Sequence, residues 1–374
     1  MRIVLAPDSF KGTATAADAA AALAEGWHTA RPGDDLLLRP MADGGEGTLA
    51  AVTAARPGAT VHRLPGCTGP DGRPVTGACA VFPDGTALVE LATASGLPLL
   101  GPDLAPLTAT TRGTGEAVAA ALDRGARRLL IALGGSAGTD GGAGLLAALG
   151  LRLLDRDGRQ LPDGGGSLAE LATVDRSGLR PAPPGGVRLL TDVTNPLLGP
   201  DGAAAVYGPQ KGAGPADIAR LEQGLARLAA HLGGDPAAPG AGAAGGTAYG
   251  LAAAWGATTT LGAAAVADLL GLDAALAGAD LAVSGEGRFD ATSLRGKAVG
   301  EVTQRAARAG VRTVVVAGES ADPTVLTLTG LAGSAGAARS RALHWLREAG
   351  ARLAAGHGRR GPAADRPPPL DPPR

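Results

Sequence analysis

One device recurs along this chain and limits what it can fold into. An apolar run of β character stops at a glycine-rich polar loop, and a helical pattern follows; this happens after Ala6, Leu133, Ser284 and Ala317. Strand, loop and helix repeated in this way specify parallel sheets with helices on their faces, and put the loops at the strands' carboxyl ends, where such sheets bind ligands. No fixed period accompanies the repetition, so the units are reuse of one supersecondary element rather than a solenoid.

The densest case is Ala282 to Lys297, AVSGEGRFDATSLRGK. A strand over Asp280–Ser284 is expected to stop at a corner formed by Gly285, Glu286 and Gly287, followed by Arg288, Asp290, Thr292, Ser293 and Lys297. Alone, this corner reads equally well as a strand-to-helix turn with Thr292 or Ser293 as N-cap. Similar loops elsewhere favour a ligand site. Asp8, Ser9 and Lys11 follow the strand Arg2–Ala6 and precede a helix opened by a capping-box pattern, Thr15 with Asp18. Asp43, Gly44, Gly45 and Glu46 interleave glycines with carboxylates, which suits backbone N–H donation to a phosphate and carboxylate contact to Mg²⁺ or a hydroxyl. Gly134, Gly135 and Ser136 open GGSAGTDGGAG after the strand Arg128–Leu133; Asp192 and Asn195 follow the strand Val187–Leu190.

Lysine usage sharpens the list. Of 34 basic residues only Lys11, Lys211 and Lys297 are lysines, and each neighbours a glycine. In a chain whose composition otherwise favours arginine, positions that keep a compact point charge are candidate phosphate or carboxylate contacts. Asn195 is likewise the sole asparagine.

Other features bound the function. A net charge of −1 and 2% aromatic content leave neither a polyanion-binding surface nor stacking platforms, so a small substrate is expected, with no nucleic-acid or membrane partner. Cys67 and Cys79 lack metal-ligand spacing, so no structural metal or disulfide framework is expected; a reducing, cytoplasmic setting fits, as does the absence of a signal peptide or membrane span. Gly240–Gly246 matches GxGxxG, but HLGGDPAAP rather than a strand precedes it, so it is not read as a dinucleotide motif.

Between Val61 and Glu90 the texture changes to short alternating runs broken by Pro-Asp-Gly, as in antiparallel hairpins, and Leu151–Arg188 reads as irregular. The expected architecture is α/β: a Rossmann-like parallel-sheet domain (1–62 and 273–356) interrupted by an inserted mixed α/β domain (63–272), with the active site in the cleft between them. Residues 107–150 fit either domain. A proline-rich tail, 357–374, is expected to be disordered.

Glycine loops, point-charge lysines and carboxylates without a Ser, Cys or His nucleophile arrangement point to phosphoryl transfer, where catalysis is mainly positioning and charge neutralisation. No GxxxxGK[ST] run is present, so this is not a P-loop enzyme.

Taken in order, APDSFKGT, PMADGGEGT, GGSAGTDGGAG, TDVTNPLLGP, YGPQKGA, GAGAAGG and SGEGRFDATSLRGK resemble the bacterial type-1 glycerate kinase family, over residues 1 to about 318. The resemblance implies ATP- and Mg²⁺-dependent phosphorylation of D-glycerate in glycerate or glyoxylate assimilation, with 2-phosphoglycerate favoured over the 3-isomer, by a cytoplasmic monomer or homodimer. On this reading Asp192 or Asp290 accepts the hydroxyl proton. Lys11, Lys211 and Lys297 neutralise phosphate or hold the acid's carboxylate. Asp43 and Glu46 serve Mg²⁺ or nucleotide, and Gly44, Gly45, Gly134, Gly135, Gly285 and Gly287 cradle phosphates, with Asp8, Ser9, Ser136, Asn195 and Glu286 completing the binding set. The chain departs from the family pattern at Gly138, where Thr or Ser is more usual, and after Glu319, where about one strand–helix element is expected to be missing. A kinase for another small hydroxy acid and a catalytically inactive nucleotide or metabolite sensor are the alternatives.

Overall fold

The computed structural model describes residues 1–56, 58–294 and 296–357. The tail expected to be disordered lies, after His357, outside the described residues. The strands, in chain order, are β1 (Arg2–Pro7), β2 (Asp35–Leu38), β3 (Thr60–Thr68), β4 (Pro74–Val81), β5 (Thr86–Glu90), β6 (Arg128–Ala132), β7 (Arg152–Leu154), β8 (Thr173–Asp175), β9 (Val187–Leu190), β10 (Thr258–Thr260), β11 (Leu281–Phe289), β12 (Arg312–Ser320) and β13 (Leu326–Thr327). The described residues form two compact units: residues 1–40, 273–292 and 302–357, and residues 41–272 with 293–301.

The first unit carries a five-stranded parallel sheet in the order β13-β12-β11-β1-β2. From β1 the chain goes to β2 on one side and later returns to β11 on the other. The crevice where parallel sheets bind ligands therefore falls at the carboxyl ends of β1 and β11. Both strands have buried interiors, and Ser284 Oγ donates to Ala6 O at 3.0 Å, locking the pair at the point where the loops diverge. The helices Ala16–Ala30 and Ala342–His357 cross at glycines. A Cβ at Gly26 would lie 1.9 Å from Arg347 O, and one at Gly350 would lie 2.2 Å from Leu23 O. Thr15 caps the first of these helices by accepting from Asp18 N at 3.1 Å, as its sequence pattern implies.

The second unit carries a six-stranded sheet, β10-β9-β6-β5-β4-β3. The hairpin texture is real: β3, β4 and β5 are antiparallel neighbours, while β5, β6, β9 and β10 run parallel. Their carboxyl ends share one edge. The core beneath is aliphatic and nearly free of aromatics, built on Val89, Leu129, Ile131, Leu145 and Leu189.

Several expectations change. The segment 41–62, placed by texture in the first domain, belongs to the second unit, because its loop and helix (Thr48–Ala55) are held to the end of β5. A helix spans Arg112–Asp123. Its Gly113 and Gly115 are packing positions: Cβ atoms there would lie 2.1 Å from Thr68 O and 2.4 Å from Leu145 O. The segment 151–188 contains the β7–β8 pair. β11 does not stop at Ser284 but continues to Phe289 against β12, so Gly285 and Gly287 are strand residues. Among the described residues no helix is long and apolar enough to cross a membrane, and Cys67 and Cys79 are buried free thiols.

In the first unit Asp34, 6% exposed, accepts from Arg31 Nε at 2.6 Å and Trp27 Nε1 at 3.0 Å. The Arg31 guanidinium holds its carboxyl well below the usual range, so its contribution is present above pH ~4, the unfolded value, and is lost as pH falls. Asp34→Asn is therefore expected to cost about 1–3 kcal/mol at neutral pH. Denaturation followed against pH should show the gap to the unsubstituted protein closing in acid.

Candidate active site

Each unit gathers its candidate residues at a sheet's carboxyl edge. In the second unit the loop Asp43–Thr48 lies against the end of β6 with no room for side chains. Gly134 N donates to Gly44 O at 3.2 Å. A Cβ at Gly134 would lie 2.5 Å from Gly45 Cα, and one at Gly262 would lie 1.8 Å from Asp43 O. The loop is shaped internally by Asp43 Oδ1, which accepts from Gly45 N at 3.2 Å, and by Thr48 Oγ1, which donates to Gly45 O at 2.7 Å. Glu46 is left exposed and Asp43 half-buried.

The residue that fixes this loop was not singled out from the sequence. Glu90, the last residue of β5, is 5% exposed and accepts from Gly47 N at 3.0 Å and Leu49 N at 2.8 Å. Its carboxylate caps the helix Thr48–Ala55, whose own N-cap is Gly47 at φ 90 with no side chain to offer. Burial, with the charge of Glu46 adding to it, pushes the Glu90 carboxyl up. Sequence holds only a weak signal for it: a carboxylate ending an otherwise apolar strand.

The loop Gly134–Gly142 is held from three sides. Leu97 N donates to Gly135 O at 2.8 Å and Ala137 N to Ser95 O at 2.9 Å, leaving Gly135 exposed and Ser136 half-buried at the edge. Asp140, fully buried, accepts from Thr111 N and Thr111 Oγ1, both at 2.9 Å, from Gly142 N at 3.0 Å and from Gly144 N at 3.2 Å. Burial raises its carboxyl. Lys211 is 2% exposed, and its ammonium donates to Ser136 Oγ at 3.0 Å and to Gly138 O. Burial lowers it to about 8, with Asp140 opposing the shift. Gly138 has a steric reason to be glycine, since a Cβ there would lie 2.8 Å from Ala109 O.

Asp192 follows β9 and is exposed. Asn195, three residues on, is a rivet: Oδ1 accepts from Tyr207 Oη at 2.7 Å, Nδ2 donates to Asp201 O at 2.8 Å, and its carbonyl accepts from Gly242 N at 2.9 Å. Burial and the Asp192 charge push the Tyr207 hydroxyl up. The glycine run 240–246 makes a left-handed turn at Ala244 (φ 51), Gly245 (φ 64) and Gly246 (φ 87). It packs on the neighbouring loop, since a Cβ at Gly245 would lie 2.2 Å from Gly138 O.

In the first unit Asp8 N donates to Gly285 O at 2.8 Å, and Asp8 Oδ1 accepts from Ser9 N at 2.6 Å. Lys11 is exposed beside the extension of β11. A Cβ at Gly287 would meet Lys11 N at 3.4 Å, and one at Gly285 would lie 2.3 Å from Val316 O. The glycines at this place permit close packing rather than a turn. Among the described residues the β1 side of β11 has no strand partner beyond Gly285, so Glu286 and Gly287 border the crevice. Asp290 Oδ1 accepts from Thr292 N at 2.8 Å and Thr292 Oγ1 at 2.6 Å. Lys297, half-buried, precedes the helix Ala298–Arg308 and falls in the second unit, whereas Asp290 falls in the first.

The model of the glycerate kinase family matches residues 3–341. The chain belongs to that family. Glycerate kinase of Bacillus subtilis (strain 168) is 42% identical over 326 residues, covering 85% of each chain. Glycerate 2-kinase of Escherichia coli (strain K12) is 42% identical over 306 residues, 79% of this chain and 80% of that one. A crystal structure from Salmonella typhimurium LT2, described as a glycerate kinase 2, aligns with TM-score 0.81 at 38% identity, over 96% of this chain and 99% of that one. This family member is thus an enzyme, a phosphotransferase.

Removing the Glu90 carboxylate strands two buried N–H groups. Glu90→Ala is expected to cost about 1–3 kcal/mol, and Glu90→Gln less, since its amide oxygen keeps one of the two bonds while its NH₂ opposes the other. Urea denaturation of both variants checks the ranking.

Proposed function

We propose that this enzyme transfers the γ-phosphoryl group of ATP to the 2-hydroxyl of D-glycerate. The observation that carries the reading is the second unit's edge, where backbone approaches backbone at Gly44, Gly134 and Gly262 in a chain of this family. An edge without side chains lets polyphosphate oxygens come close to main-chain N–H groups. The name of the Escherichia coli relative, glycerate 2-kinase, supports the 2-position.

Among the described residues no group of three or more His, Cys, Asp or Glu is arranged as a metal cage. Kinases bind Mg²⁺ through one or two carboxylates and the nucleotide's own phosphates, and the edge loop carries two carboxylates, one half-buried and one exposed. Asp43 and Glu46, on the edge loop, would hold it, and it would neutralise charge on the phosphate oxygens. The exposed ammonium of Lys11, beside Asp8 and Ser9, is assigned to an anionic group of substrate, and Lys297 to the carboxylate of the acid. Asp192 is assigned as the base that takes the hydroxyl proton: it stands at the end of β9, steadied by the Asn195–Tyr207 pair behind it. Asp290, whose Oδ1 already accepts from Thr292, is assigned to metal or loop order.

The reading is tested by ADP release across D-glycerate, hydroxypyruvate and tartronate, with ³¹P NMR to locate the phosphate. Turnover of D-glycerate to the 2-phosphate is expected; preference for another acid corrects the substrate, and ATP binding without turnover of any acid favours a sensor. Asp192→Asn should lower kcat by roughly 10²–10⁴-fold with little change in Mg²⁺ requirement, and Asp290→Asn should be partly restored by high Mg²⁺ or Mn²⁺. The reverse pattern would exchange the two roles.

A further inference from the structure

Lys211 is the one lysine of the three whose ammonium is enclosed. It is 2% exposed, whereas Lys11 is exposed and Lys297 half-buried. Its place in YGPQKGA suggests a phosphate contact, yet the ammonium points beneath the loop Gly134–Gly142, to Ser136 Oγ and Gly138 O. An ammonium has donors only, so the bond to Ser136 must occupy a lone pair of the hydroxyl oxygen. The hydroxyl hydrogen is then left to point elsewhere. Among the described residues it meets no protein acceptor, and neither do the N–H groups of Gly135 and Ser136. Ser136 is only half-buried and the adjoining Gly135 is exposed, so these three donors stand on the open side of the loop.

We propose that Lys211 is a positioning residue that makes Ser136 a dedicated donor to an oxyanion, a phosphoryl group of the nucleotide or of the product, at the Gly135–Ser136 turn. The proposal rests on the kinase reading for the identity of that oxyanion, not for its existence. The charge behind the serine matters as much as its geometry. A charged Lys211 can only donate, so Ser136 Oγ–H must face outward. A neutral amine carries a lone pair that lets the hydroxyl hydrogen turn back, and the site loses both a donor and the field of a cation.

The pH dependence follows. Asp140 is the charged group acting on Lys211 among the described residues, and it favours the ammonium; burial works against it and sets the transition at about 8. Oxyanion affinity should therefore be full below that pH and fall as pH rises through it. Folding stability should move the other way. A lysine whose folded value lies below its unfolded value of ~10.4 favours folding more as pH rises from about 8 toward that value. A purely structural Lys211 predicts the second trend and not the first.

The experiment measures sulfate and ATP affinity of the full chain by calorimetry between pH 6.5 and 9.5, sulfate being a probe whose own charge does not change over this range. Ser136→Ala is expected to weaken sulfate by about tenfold or more, as loss of a hydrogen bond to a charged group does. Lys211→Met should weaken it at least as much and abolish the fall near pH 8. Because Lys211 acts through Ser136, the double variant should be no weaker than Lys211→Met alone. Additive losses, or an affinity in the unsubstituted protein that stays flat through pH 8, would overturn the proposal. If Lys211→Met does not fold, Ser136→Ala and the pH profile of the unsubstituted protein decide it. Sulfate binding that depends on Ser136 in a protein that phosphorylates no acid would overturn the kinase assignment alone. D-glycerate turnover with no effect of Ser136→Ala on either ligand would overturn the positioning role alone.

Discussion

The second unit's edge depends on backbone meeting backbone where no Cβ fits. Carbonyl and Cα atoms of one loop occupy the volume a side chain would need in the next: Asp43 O at Gly262, Gly45 Cα at Gly134, Gly138 O at Gly245. Overlaps of this kind cannot be relieved by a rotamer change, because the obstructing atoms belong to the main chain. Glycine carries an entropic cost of about 0.5–1 kcal/mol relative to Ala in regular structure. Here that cost secures loops that touch through their main chains and leave other main-chain donors at the surface.

Loops so poor in side chains need fixing from below, and the fixing is done by buried charge. Glu90 and Asp140 sit under two different loops, each accepting only from N–H and hydroxyl donors, and Lys211 lies under the second. Burying a carboxylate is costly unless its lone pairs are met, and the raised carboxyls of Glu90 and Asp140 record the part of that cost that remains. The three groups share a logic. Each is sequestered from solvent so that the residues above it can stand in one conformation while remaining accessible.

The first unit follows a different plan. Its crevice comes from the order of a wholly parallel sheet, and Gly285 and Gly287 beside it serve a strand rather than a turn. Gly285 and Gly318 pack so closely against β12 and β11 that side chains there would force the strands apart. The extension of β11 past the end of β1 then carries Glu286 to the crevice on a strand, a stiffer support than the expected corner.

How much of this was legible in the sequence depended on the range of the interaction concerned. Local patterns located β1, β9 and the hairpin texture of β3 to β5, because pleat and turn chemistry are set by neighbours along the chain. The loops that hold the candidate residues were legible for the same reason, and so was the family. What only tertiary structure decided was the purpose of particular residues. That Gly285 belongs to a strand, that segment 41–62 joins the second unit, that Glu90 caps a distant helix and that Lys211 turns inward all follow from contacts between segments far apart in sequence. Glycine looks the same in sequence whether it is needed for a turn or for another backbone's approach, and a lysine's letter does not reveal whether its charge faces solvent or a buried serine.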